Sequence, residues 1–346
     1  MNSGMNHHFL RIFAFVVKFA SVVKKPAAEK PPMPGRMSFF PVRRKPSEPL
    51  SVIIAGPMGT TSKVECKSIL TPTGGFLAGF THSLNPYRGC TYGRSLCGVF
   101  CYAPEIRFSP SPAPWGRYLE VKTNAREIYR AEYDRLRAKS RRLAIFMSSV
   151  TDPFVPQERR FRITRSLLEE MLDRPPDQLV LQTHSPRAMD EVDVLVPLSE
   201  RCSLSVQISI ETDREEIAGL PKPAYTISDR LLALGRLKKS GIRSVAAVSP
   251  MLPIAEPTRF ARVLDEVADF IICDHYLLGD GSPQGARTRR AKPHAPKPLP
   301  QLLAEAGFEE WTRLDTFERA VACIRRVVGH ERVGVCSDGF RRAARL

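Results

Sequence analysis

Residues 81–102 read T-H-S-L-N-P-Y-R-G-C-T-Y-G-R-S-L-C-G-V-F-C-Y. An extended run, Phe80 to Tyr87, leads into a glycine-rich loop that carries Cys90, Cys97 and Cys101. Three soft ligands therefore fall within twelve positions. Gly89, Gly93 and Gly98 let such a loop turn tightly, because glycine adopts φ > 0 at no steric cost. Three thiolates can hold a zinc ion, or three irons of a [4Fe–4S] cluster with the fourth iron open. Scattered buried cysteines usually act as small hydrophobes, but these three have polar and glycine neighbours and no apolar period. A zinc site wants a fourth ligand, and nearby only His82 offers one.

Working outward, the 346 residues, 43% hydrophobic and 25% charged, suit a soluble globular protein of one or two domains. Eight cysteines with three clustered do not read as a disulfide framework and suggest a reducing compartment, hence the cytoplasm. The net charge of +16 invites a nucleic-acid partner. Its distribution argues otherwise. Residues 1–50 hold nine Lys/Arg against Glu29 and Glu48, and residues 281–300 hold five against no acid. Most of the excess thus lies on segments that read as a tail and a linker.

The apolar stretch 9–23 is short and interrupted by Arg11 and Lys18. A membrane span needs about 20 mostly uncharged residues, so we expect no span. The stretch reads as a targeting segment, or as lying upstream of a true start at Met37 or Met58. Pro26 to Pro49 is proline-rich and basic, so residues 1–60 are expected to be a disordered extension.

From Cys66 the pattern changes. Pro104 to Gly116 reads as a loop, Tyr118–Lys122 as a short extended piece, and Asn124 as the cap of a helix to about Lys139. Apolar strands then alternate with helices. The strands are Leu143–Met147, Gln178–Gln182, Leu204–Ile210, Ser244–Val248 and Phe270–Cys273. The helices are Arg162–Leu172, Ala188–Leu198, Ser228 (as cap) to Ser240, and Pro257–Ala268. This alternation predicts βαβ units and an α/β fold with a parallel sheet. With the first strand it gives six units. Polar residues gather after the strand ends, where parallel α/β folds build their sites. Residues 288–300 read as a linker, with Phe317–Val328 as a helix and Val333–Cys336 as a further short strand.

N-P-Y-R-G-C…C-x-x-x-C-Y resembles the cluster loop of the radical S-adenosylmethionine (radical SAM) superfamily, in particular its spore photoproduct lyase-like branch. That branch spaces its cysteines x3 then x2, whereas here the gaps are x6 and x3. Three further segments resemble the branch in order: T-D-P-F-V-P-Q-E (151–158), S-I-E-T-D (209–213) and H-Y-L-L-G-D-G-S (275–282). T-H-S (183–185) stands where relatives have T-K-S. The resemblance covers roughly residues 66–290.

The resemblance implies a partial (β/α)6 TIM-type barrel over 66–285, with residues 286–346 as a linker and a small helical cap. It implies a [4Fe–4S] cluster on Cys90, Cys97 and Cys101, with S-adenosylmethionine (SAM) as cofactor. It further implies an external one-electron reductant of the flavodoxin or ferredoxin type and a monomeric enzyme that abstracts hydrogen from its substrate. Ser148 and Ser149 are then expected near the SAM amino group, Ser209 and Glu211 near the ribose, and His184 near the carboxylate, with Thr151 and Asp152 in the same shell. Asp152 before Pro153 is also an ordinary turn former, and Glu211 an ordinary helix cap. The lyase returns hydrogen from a cysteine just before its Asp-Pro; here Ser148, Ser149 and Val150 stand there, so repair of thymine photoproducts by that route is not expected. Two other readings stay open: a non-catalytic nucleic-acid-binding protein with a metal-stabilised Cys loop, and a degenerate member without the cluster. Cys202, Cys273, Cys323 and Cys336 read as core. P-W-G-R-Y (114–118) reads as a substrate loop or simple packing.

Overall fold

The computed structural model describes residues 59–106 and 113–345. The stretch 9–23, the segment Pro26 to Pro49, the starts at Met37 and Met58, and half of the Pro104–Gly116 loop lie outside the described residues.

The strands, in order, are β1 (Thr60–Val64), β2 (Leu70–Pro72), β3 (His82–Leu84), β4 (Tyr87–Cys90), β5 (Tyr118–Lys122), β6 (Ala144–Met147), β7 (Gln178–Thr183), β8 (Ser203–Ser209), β9 (Arg243–Val248), β10 (Phe270–Cys273) and β11 (Val333–Val335). The α-helices are α1 (Leu96–Phe100), α2 (Ala125–Arg137), α3 (Glu158–Phe161), α4 (Ile163–Asp173), α5 (Val192–Ser199), α6 (Ile227–Lys239), α7 (Pro257–Val267), α8 (Tyr276–Gly279), α9 (Leu299–Glu305), α10 (Leu314–Val328) and α11 (Cys336–Arg345).

The main sheet runs β11-β10-β9-β8-β7-β6-β3-β2. Every neighbouring pair from β3 to β11 is parallel, and β2 joins antiparallel at the edge. The fold is thus mixed α/β with a largely parallel sheet, as the alternation predicts. The six expected strands stand side by side in chain order. Val333–Val335 adds a seventh parallel strand beside β10.

Strands β6 and β10 are buried along their whole length, which is why they read as apolar runs without alternation. One face, with Ile145, Met147, Leu179, Leu181, Val206 and Ile208, packs with the helices in the larger core. The other face, with Phe146, Val180, Val245, Phe270 and Ile272, meets Phe340, Ala343 and Ala344 of α11. Gln178 at the start of β7 donates to the Ala344 carbonyl, and Phe340 stacks edge-on against Phe76, with ring centroids 5.3 Å apart. The last helix therefore lies on the inner face of the sheet and touches the segments before β3. Gly339 is required there, since a Cβ would fall 2.7 Å from the Gly334 carbonyl carbon.

The extended run Phe80–Tyr87 is broken. Its first part is β3; after Asn85-Pro86 the chain enters β4, which belongs to a separate three-stranded sheet, β1-β5-β4. Pro86 has no N–H for a ladder, and the Asn85 side chain turns away to accept from the Val150 and Thr151 N–H groups at 3.0 and 3.3 Å. Asn124 does not cap α2 with its side chain. Its amide instead pairs with the backbone of Cys66, accepting from N–H at 2.8 Å and donating to the carbonyl at 3.0 Å. Thr226, not Ser228, caps α6, accepting from the Asp229 N–H at 2.9 Å. Residues 288–300 are not a solvated linker: Thr288 and Lys292 are buried. Of the cysteines read as core, Cys202 and Cys273 are buried, whereas Cys323 and Cys336 are half-exposed.

Candidate cluster and cofactor site

The three clustered cysteines come from three local structures. Cys90 ends β4, Cys97 lies in α1, and Cys101 follows that helix as its C-cap. Two glycines make this fit. Gly89 has φ +83, and a Cβ there would meet the Tyr118 carbonyl oxygen at 2.6 Å across the β4–β5 pair. A Cβ on Gly98 would fall 2.0 Å from the Gly93 carbonyl oxygen, so the turn before α1 closes only on glycine. Gly98 thus serves close approach, whereas Gly89 serves the positive φ.

The thiols feel one another. Burial, then Cys97 and Cys101, push the Cys90 thiol well above its ordinary range. Burial likewise pushes Cys97 up, opposed by a contact from Ser95 and reinforced by Cys101, Glu211 and Asp152. Cys101 is raised by burial, against the Ala103 backbone N–H, Lys292 and Trp115. The Tyr92 N–H donates to Cys90 Sγ at 3.3 Å, and the Ser95 hydroxyl lies 3.3 Å from Cys97 Sγ.

Opposite the loop stand the ends of β6, β7 and β8. Cys97 lines a cavity of about 10 Å³ with Leu96, His184, Glu211, Pro223, Ala224 and Arg230. His184 sits between two carboxylates. Its Nε2 is 3.2 Å from Glu211 Oε1 and its Nδ1 is 3.8 Å from Asp152 Oδ2. The closer approach is an ion-pair contact without hydrogen-bond geometry, and neither atom makes a hydrogen bond among the described residues. Burial raises the Glu211 carboxyl, but Arg230 and His184 outweigh it and hold it at about 2. Arg230 Nη1 donates to Glu211 Oε2 at 2.8 Å and to the Ser209 carbonyl at 2.6 Å. Glu211 therefore caps no helix; Glu215 accepts from the first N–H groups of α6 instead.

Asp152 ties two strand ends together. It accepts from Phe154 N–H at 2.8 Å, Thr183 hydroxyl at 2.8 Å and His184 N–H at 2.7 Å. Burial still leaves its carboxyl raised. Ser148 follows β6 with φ 77. Its hydroxyl, with those of Thr151 and Ser209, is buried and lacks a partner among the described residues. Ser149 is held differently: its hydroxyl accepts from Asn85 Nδ2 at 3.3 Å, and its carbonyl accepts from Tyr102. Glu158, in the same segment, accepts from Thr164 and Arg165 N–H at 3.1 and 3.0 Å and from Tyr87, and so anchors the start of α4.

The structure thus brings Cys97, His184 and Glu211 to one cavity and sets the unpartnered Ser148, Thr151 and Ser209 at neighbouring strand ends. Sequence reasoning assigned no role to Arg230, Asn85 or Lys292. Asn85 had a signal, lying in N-P-Y beside the cysteines. Arg230 and Lys292 had none, because a buried cation looks like any surface Arg or Lys in a helix or loop.

The donor set can be tested for what it would hold. Around one tetrahedral ion, thiolate sulfurs approach to about 3.8 Å, given metal–sulfur bonds of about 2.3 Å. No three His, Cys, Asp or Glu side chains are so grouped among the described residues. A cubane spreads its thiolates over separate irons, and N–H or O–H donors at sulfur of the kind Tyr92 and Ser95 supply are usual support. The donor set, three thiols with N–H and O–H donors at sulfur, is of the kind a cluster uses, and no three ligating side chains are drawn to a single point among the described residues.

No family model matches this chain. It is 27% identical over 192 residues to an uncharacterized protein of Methanocaldococcus jannaschii, covering 55% of this chain and 67% of that one. Among solved structures it is similar to spore photoproduct lyase complexed with dinucleoside spore photoproduct, at 13% identity and TM-score 0.46, covering 62% of this chain and 61% of the other. It is also similar to the radical S-adenosylmethionine methyltransferase TsrM of Kitasatospora setae, at 15% identity and TM-score 0.42, covering 72% and 53%. The chain spans about 60% of the length of the lyase structures. No helix among the described residues is long and apolar enough to cross a membrane.

Proposed function

We propose that this chain is a radical SAM enzyme. In this reading residues 66–285 form a partial (β/α)6 barrel, Cys90, Cys97 and Cys101 hold a [4Fe–4S] cluster, and the strand ends facing them hold SAM. The observation that supports it is that Cys97, from the loop that also carries Cys90 and Cys101, meets His184 and Glu211 in one cavity, with the buried hydroxyls of Ser148, Thr151 and Ser209 lacking a partner among the described residues at the neighbouring strand ends. Buried polar groups are nearly always satisfied, so such an assembly is what a polar ligand would complete.

When bound, the cluster supplies the electron that cleaves SAM to methionine and a 5′-deoxyadenosyl radical, which abstracts hydrogen. The protein binds, orients and excludes water. Ser148 and Ser149 would offer hydroxyls to the SAM amino group, and Ser209 and Glu211 would serve the ribose. His184 would serve the SAM carboxylate, with Thr151 in the same shell. Asp152 fixes the His184 backbone, and Arg230 fixes Glu211. The electron comes from an external flavodoxin- or ferredoxin-type reductant.

Anaerobic incubation of the reconstituted protein with SAM and dithionite, followed by chromatography, tests this. Wild type is expected to release 5′-deoxyadenosine, and Cys97→Ala to lose at least a hundredfold of that activity. A protein that holds its cluster yet forms no 5′-deoxyadenosine above a protein-free control would overturn the proposal.

A further inference from the structure

Lys292 is 3% exposed, and its Nζ donates to the Val99 carbonyl of α1 at 3.2 Å. Val99 lies between Cys97 and Cys101. The segment that carries the lysine is a tight turn: Lys292 and Ala295 exchange both backbone hydrogen bonds, at 2.8 and 2.9 Å. The same turn brings His294 Nε2 to 3.1 Å from the Gly98 carbonyl. Two adjacent carbonyls at the end of α1 are thereby engaged by one turn from 196 and 193 residues further along the chain.

An ammonium has three N–H donors, and a buried one is costly unless an anion lies beside it. Among the described residues no carboxylate comes within ion-pair distance of Lys292. Glu105 lies 3.7 Å from Arg290, and Asp280 accepts from Ser282 and Thr288. Burial pushes the Lys292 ammonium below its ordinary range, and Cys101, ahead of Glu105 and Asp280, pushes it back up. Its bond to the Val99 carbonyl places this cation two residues from both Cys97 and Cys101, so the anion the fold sets nearest to it is one that the cysteine loop would carry.

We propose that Lys292 is a positioning residue that compensates the negative charge of a thiolate-held cluster and raises its reduction potential. This rests on the cluster-binding reading above. Reduction brings one electron from the external donor onto the cluster and adds one negative charge. A fixed cation at the Val99 carbonyl, two residues from Cys97 and Cys101, would stabilise that reduced form, since net charge around a cluster sets its potential. Its bond to Val99 also holds the end of α1, and with it the direction of Cys101.

The test is a redox titration of the reconstituted protein, monitored by electron paramagnetic resonance, with iron and sulfide analysis of every sample. Lys292→Met is expected to keep its iron and sulfide but to be harder to reduce. At a fixed potential its reduced-to-oxidised ratio should fall about tenfold, equal to about 59 mV for a one-electron couple. Lys292→Gln keeps a donor for Val99 without the charge and should shift the same way, which covers a Met variant that fails to load. Lys292→Arg should stay near wild type, and His294→Ala, which removes only the contact to Gly98, should leave the potential in place. Lys292→Gln with a wild-type potential would overturn this role alone. Wild type without iron and sulfide would overturn the cluster reading and this role together.

Discussion

At the scale of single residues, the buried pair Arg230–Glu211 sets the electrostatics of the site. Both side chains are 2% exposed. Removing one partner of such a pair leaves a bare charge in a low-dielectric interior, which typically costs about 3–5 kcal/mol, while replacing both is far milder. Arg230→Met should therefore lower stability by about 3 kcal/mol in urea unfolding, and Arg230→Met with Glu211→Leu should recover most of the loss. A single variant as stable as wild type would show that the pair does not hold the β8 end. The cysteines and strand-end polar residues were legible as residue types at unusual density. Arg230 was not, because its importance lies in a contact made across 19 positions by folding.

At the scale of elements, α2 and α4 are joined by one carboxylate. Glu170 is fully buried and receives Arg126 and Arg130 at 2.8 Å and Arg174 at 3.0 Å. Arg130, against burial and with Arg126, holds the Glu170 carboxyl at about 2, below its ordinary 4.5. The folded value is depressed, so the stabilisation is full above about pH 4.5 and is lost as pH falls toward 2. A full shift of this size corresponds to about 3 kcal/mol; half-exposed arginines reduce it to roughly 2. Glu170→Gln should lose that amount at pH 7 and show a flatter fall in stability between pH 4.5 and 2. An acid limb as steep as that of wild type would contradict this. The strands themselves were readable from apolar runs to within a residue or two. Misreadings came where side chains take local jobs: Asn85 breaks a strand to hold the next loop, Asn124 bonds to Cys66, and proline-rich 288–300 folds down because Lys292 and His294 reach the carbonyls of α1.

At the scale of the molecule, the segment before β3 meets the last helix. Phe76 and Phe80 join Phe340, Ala343 and Ala344 on the inner face of the sheet. Pattern alone gave α11 no such place, since its small apolar face and five polar positions fit a surface helix equally well. The parallel order of β3 and β6–β10 was legible from alternation, and the short run Val333–Cys336 was legible as a strand, which forms β11 over Val333–Val335. Charge pointed to nucleic acid, yet the site assembled at the strand ends is built of thiols, carboxylates and hydroxyls. The central claim is that Cys90, Cys97 and Cys101, despite x6 and x3 gaps, hold an open-iron cluster that meets SAM. The most direct measurement is anaerobic reconstitution with iron and sulfide, then electron paramagnetic resonance of the reduced protein with and without SAM. The account predicts a [4Fe–4S]⁺ signal that SAM perturbs and that Cys97→Ala abolishes. No signal, or one indifferent to SAM, would contradict it.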